Sequence, residues 1–152
     1  MTNSKKTYLA LLYFFLSTLI TWWFVDVCPL YTDLPQKLLS TGIAGAKWGL
    51  QILAAYFLLN GKKWEFLKNM GATCLAGSVI LLPYSIAATV SNINGAYFFV
   101  GSLFTAVAIM IILYFVNVQK LGLPKKWFWG WIFCLAIAIT LQLTVVFSVL
   151  KF

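Results

Sequence analysis

Four side chains in an otherwise apolar sequence are of types, and at spacings, suited to chemistry: Lys47, Gln51, Asp26 and Gln142. Lys47 stands inside TGIAGAKWGLQILAAYFLLN, residues 41–60, with Gln51 one helical turn later. The i, i+4 spacing puts both on one helix face. A charge within such a segment is costly and marks function by default. At about 1.5 Å of rise per residue from a helix start near 41, Lys47 lies roughly 9 Å deep. Asp26 ends the preceding apolar run on the same side. The two are expected to pair, because opposite charges that leave water together cost less than one alone. The chemistry on offer is the grip of Lys47 and Gln51 on an anion or lipid headgroup, with Tyr31 as a further contact. The competing structural reading is a lysine that snorkels to the interface or locks two helices together. Gln142 sits in a segment running opposite to that of Gln51, so the two are expected to meet near mid-membrane. Thr140 and Thr144 either extend that polar path or bond their own helix backbone.

Other chemistries have less behind them. The chain has no His, the commonest general base and metal ligand at neutral pH. Its acidic residues are Asp26, Asp33 and Glu65, and no two of them fall together within the apolar core. A catalytic dyad would have to be a Lys-activated hydroxyl, with Lys47 as base and Ser40 or Thr41 nearby. No catalytic residues are assigned. Cys74, Cys134, Met70 and Met110 are soft ligands that suit Cu(I). They form no CxxC or MxxM motif, and buried Cys and Met are ordinary packing residues, so no metal site is assigned. The aromatic content of 18% could line a haem or quinone site. Most of the tryptophans, however, fall at the ends of apolar runs (Trp22, Trp23, Trp127, Trp129, Trp131), where an interfacial aromatic belt accounts for them. No cofactor is expected.

The elements that position these residues follow from hydropathy. The 152 residues are 62% hydrophobic and 9% charged, against about 25% charged in soluble domains. Runs of about 20 apolar residues recur, each long enough for a ~30 Å hydrocarbon core. With no water there to satisfy the backbone, they must be helices. The expected fold is therefore all-α: one polytopic membrane domain over 1–152, a helix bundle with five transmembrane helices at 7–26, 41–59, 71–90, 96–117 and 127–150. The basic start and apolar first run resemble a signal peptide, but the run is long and lacks a small-residue cleavage site. An uncleaved span is expected. Asp33, Pro35 and Gln36 read as a helix start, leaving 34–40 as either a surface helix that turns inward near Gly42 or the beginning of one long tilted helix. Pro83 removes a backbone donor from span three and leaves the Val79 carbonyl short of its partner. Gly45 and Gly49 form a GxxxG pair that admits a close helix neighbour. Helix two is expected to be central, with helices three and four as an antiparallel hairpin.

The charges then orient the bundle. All eleven basic residues are Lys. Lysines 5, 6, 62, 63, 68, 120, 125 and 126 fall on the side of the N-terminus, while Lys37 and Lys151 fall opposite. By the positive-inside rule the N-terminus is cytoplasmic and the C-terminus outside, in a bacterial inner membrane. The lysines flank apolar spans, where they meet anionic lipid rather than nucleic acid. The first functional expectation is a non-catalytic accessory or assembly subunit of a larger membrane complex, whose partners are the bilayer and other membrane subunits or further copies of itself. The alternative is a small transporter or ligand- or lipid-binding protein with its polar site at Lys47 and Gln51.

Overall fold

A computed structural model of the chain describes residues 2–28, 33–59, 61–90 and 95–149, without the side chains of 88, 95–99 and 146–149. Tyr31, Asn60, residues 91–94 and Lys151 lie outside the described residues. Every element among the described residues is a helix: α1 (Asn3–Val27), α2 (Leu34–Leu58), α3 (Lys63–Val90), α4 (Gly95–Lys120) and α5 (Lys125–Val149). Four of them contain stretches long and apolar enough to cross a membrane: Asn3–Val27, Lys63–Ala87, Val100–Lys120 and Lys125–Val145. α2, with Lys37, Lys47 and Gln51 inside it, falls below that level of hydropathy.

Local chemistry sets the helix ends. The Thr2 side chain accepts from the Lys5 backbone N–H and caps α1. Asp33 occupies the N-cap of α2 in extended conformation, with Pro35 in the first turn where a missing N–H costs nothing. α2 then runs without a break to Leu58, so 34–40 and span two are one helix, with no surface segment turning in at Gly42. α3 likewise continues through Pro83. α4 stops in a Schellman motif: Gly122 N–H bonds the Gln119 carbonyl at 3.0 Å and Leu123 N–H the Val118 carbonyl at 3.0 Å. The motif needs a left-handed residue, which Gly122 supplies at φ 65°.

Ion pairs reveal which helix ends lie together. At one end Glu65 at the start of α3 takes Lys6 of α1 and Lys68, both at 2.7 Å, and the Lys62 ammonium donates to the Leu121 carbonyl at 2.8 Å. At the other end Lys37 of α2 meets Asp26 of α1 at 2.8 Å. The helices thus alternate in direction, and the described lysines of the N-terminal side are gathered at one end.

α3, rather than the expected α2, is the hub: α1 lies along one side of it and α4 along another, while α2 pairs chiefly with α5. Small residues on α3 allow the close approaches. A Cβ built on Gly71 would stand 3.2 Å from the Tyr13 Cβ of α1, and one on Gly77 would stand 2.5 Å from Met110 Cγ of α4. Polar bonds tie α3 to the antiparallel α4: Asn117 donates to Thr73 Oγ1 at 2.8 Å, and the hydroxyls of Tyr84 and Thr105 are 3.0 Å apart. Small polar side chains such as Ser17, Thr73, Ser85 and Ser102 are buried, while Phe15, Phe57, Phe104 and Phe133 are exposed. Apolar faces outward and polar side chains inward are the arrangement of a bundle solvated by lipid.

Candidate functional site

Between the α1–α3–α4 layer and the α2–α5 pair lies a cavity of about 300 Å³. Two apolar clusters bracket it. The larger is built around Trp48, Phe66, Met70, Tyr114 and Trp131. The smaller comprises Phe24, Val25, Cys28 and Val145. Along α2 the cavity extends from Ser40 to Ile52, a rise of about 18 Å.

Lys47 lines this cavity and is only 8% exposed. Its ammonium lies 4.7 Å from the centroid of the neighbouring Trp48 ring, a cation–π contact worth about 2 kcal/mol when desolvated. Among the described residues it makes no ion pair and no hydrogen bond. The expected partner is committed elsewhere: Asp26 binds Lys37 at 2.8 Å, near the surface. The reason is register. α1 and α2 run antiparallel, with Asp26 against Lys37 and Phe14 against Trp48, ring centroids 6.3 Å apart. Ser17, and not Asp26, therefore stands level with Lys47.

Ser17 is the centre of a small polar cluster. Its hydroxyl is 2.5 Å from Ser78 Oγ and 3.0 Å from Cys74 Sγ, and Thr21 Oγ1 is 3.4 Å from Ser78 Oγ. Ser78 also donates to the Cys74 carbonyl at 3.1 Å. Each hydroxyl carries one rotatable proton and two acceptor pairs, so the cluster can turn a donor toward a guest and keep internal bonds. Thr41, about 1.7 turns before Lys47, adds a buried hydroxyl with no hydrogen-bond partner among the described residues. Sequence reading passed over Ser17, Thr21 and Ser78, and weighed Cys74 only as a soft metal ligand. The available signal was the i, i+4 spacing of Ser17 with Thr21 and of Cys74 with Ser78, which draws one polar stripe on each of two apolar helices.

The two glutamines go separate ways. Gln142 borders the cavity and donates to the Ser40 carbonyl at 3.4 Å. Gln51 does not line it. Its Oε1 accepts from the Tyr114 hydroxyl at 3.0 Å and its Nε2 donates to Cys134 Sγ at 3.8 Å. Tyr114 in turn stacks on Trp131, with centroids 4.3 Å apart and planes 8° from parallel. Gln51 therefore closes a hydrogen-bonded floor and does not meet Gln142 as expected. Trp131, expected at the interface, is fully buried in that floor. Thr140 and Thr144 face outward and bond their own helix at 2.9 and 2.8 Å, so they extend no polar path. Gly45 and Gly49 border the cavity, and a Cβ on either would meet nothing within 4 Å. Their GxxxG pair packs against no described helix of this chain. No three acidic, Cys or His residues cluster as a metal site among the described residues.

No known protein family, curated protein or solved structure matches this chain. Among the described residues the arrangement offers one cation without a counter-ion, a rotatable set of hydroxyls at its level, and chiefly apolar walls. Such a site can hold an anion; its described lining includes no carboxylate to act as general base.

Proposed function

We propose that this is a non-catalytic membrane protein that binds, and in binding helps move, a small anionic ligand in the cavity at Lys47. One observation carries the reading: a lysine more than nine-tenths buried lines a cavity with, among the described residues, no partner for its charge. Removing an ion from water without compensation costs several kcal/mol, and a chain that retains such a group gains most from it when a ligand supplies the opposite charge. In the proposed arrangement all five helices cross the membrane. The 25 residues of α2 extend about 37 Å, enough to span with Lys47 near the midplane, where transport sites form between helices. The lysine-rich end faces the cytoplasm of a bacterial cell.

A second reading, an accessory subunit of a larger complex, is favoured by the GxxxG pair of α2 beside the cavity, where a Cβ on Gly45 or Gly49 meets nothing within 4 Å and a close helix neighbour is not supplied by the described residues. Native mass spectrometry of the chain purified in a gentle detergent separates the two. The binding reading expects a retained small anion that is lost in Lys47→Met. A second protein at fixed ratio, with no small molecule dependent on Lys47, would replace it with the subunit reading.

A further inference from the structure

The cavity's charge and lining restrict what it can hold. One cation faces it, and the acidic residues of the described chain, Asp26, Asp33 and Glu65, all lie outside its lining. Charge neutrality at the site thus calls for one negative charge; a dianion would bring an unpaired charge into an apolar interior. The polar atoms that can join Lys47 around an anionic group are the hydroxyls of Ser17 and Ser78 and the thiol of Cys74, all at its level. Toward the inner end the cavity passes Trp48, packed against Phe14 and Trp131, and ends about one turn further on at Ile52. Toward Ser40 the walls are chiefly apolar, with Val25, Ala44, Leu81, Leu103 and Ala106, which suit hydrocarbon, and they also carry Thr21, Ser102 and Gln142. Seven residues of α2 separate Lys47 from Ser40, about 10 Å. At the Ser40 end the unpartnered Thr41 hydroxyl is the only buried polar atom left open in that wall among the described residues.

We infer that the ligand is a monocarboxylate with an unbranched hydrocarbon body of medium length, its carboxylate between Lys47 and the Ser17–Ser78 hydroxyls and its chain running toward Ser40. This rests on the reading of the cavity as a ligand site and adds the class of ligand. A phospholipid of the bilayer is a poor occupant, because two acyl chains exceed a 300 Å³ space and its headgroup belongs at the interface.

The test is equilibrium binding of radiolabelled octanoate to the full chain in phosphatidylcholine nanodiscs, with empty nanodiscs as the partition background. The expected result is saturable binding of one octanoate per chain, weakened at least tenfold by Lys47→Met and less than fivefold by Lys47→Arg, which keeps the charge. Unlabelled octanoate should displace the label, whereas acetate (no body) and octan-1-ol (no charge) at the same concentration should not. Displacement by octanol, or equal binding by Lys47→Met, would overturn the carboxylate assignment. Absence of saturable binding in wild type would overturn it too. In that event native mass spectrometry decides the wider reading. A different small anion retained through Lys47 leaves the cavity a ligand site and removes only the ligand class, whereas no retained anion removes both.

Discussion

Lys47 and Gln51 stand one turn apart on α2, yet the structure gives them opposite roles, and stability should report the difference. Lys47 is buried, and among the described residues its charge is unmet. Lys47→Met keeps much of the side-chain volume and removes the desolvation penalty, so it should stabilise the empty protein by about 1–3 kcal/mol. Thermal unfolding in detergent checks this, and a lowered midpoint would make Lys47 a structural contact. Gln51 is instead part of a satisfied network through Tyr114 and Cys134. Gln51→Leu strands the Tyr114 hydroxyl in the core next to the fully buried Trp131 and should destabilise by about 1–3 kcal/mol. Ligand retention should be unchanged, since Gln51 does not line the cavity. A buried charge left unmet and a packed network that is satisfied thus pull neighbouring substitutions in opposite directions.

At the scale of the helix, the close approaches on α3 matter more than the GxxxG of α2. Gly77→Leu must displace Met110, whose Cγ would lie 2.5 Å from a new Cβ. Overpacking of this kind costs about 1–3 kcal/mol, and truncating the obstacle in Gly77→Leu/Met110→Ala should recover most of it. Gly45→Leu meets nothing within 4 Å and should leave monomer stability within about 0.5 kcal/mol of wild type. If a helix of another chain docks there, Gly45→Leu should instead shift the oligomeric state seen by native mass spectrometry. The contrast also shows what sequence made legible. Helix existence was readable, because lipid permits little else for runs so apolar, and so was the lysine asymmetry that orders the helix ends. The anomaly of Lys47 was readable for the same reason, since one charge stands out against an apolar background. What could not be read was rotation and register. Trp127, Trp129 and Trp131 look alike in sequence, but the turn of α5 buries Trp131 and leaves Trp129 64% exposed. Asp26 and Lys47 share a side of the bundle, but antiparallel register gives Asp26 to Lys37. Small residues suggest proximity without naming a partner, which is why the hub was expected in α2 and lies in α3.

At the scale of the molecule the charge distribution makes a topological claim that can fail cleanly. Lysines on α1, before α3 and around the α4–α5 turn share one end, held there by Lys6–Glu65 and by Lys62 on the Leu121 carbonyl. The opposite end carries Lys37, paired with Asp26. Attraction to the anionic cytoplasmic leaflet is worth about 1 kcal/mol per lysine near the surface, so eight lysines against two outweigh any single substitution. Reporter fusions active only in the cytoplasm should therefore signal when placed after Gly61 or Gly122 and stay silent after Asp33 or at the C-terminus. Silence at the C-terminus also tests whether α2 crosses: were α2 to lie on the surface, the chain would cross four times, and the C-terminal fusion would light up with the N-terminal side. Replacing lysines 62, 63, 68, 120, 125 and 126 with Gln should weaken the bias and give mixed orientations, whereas Lys37→Gln should not. An inverted pattern would place the cavity's Asp26 end toward the cytoplasm, leaving the Lys47 site intact but reversing the side from which an anion would reach it.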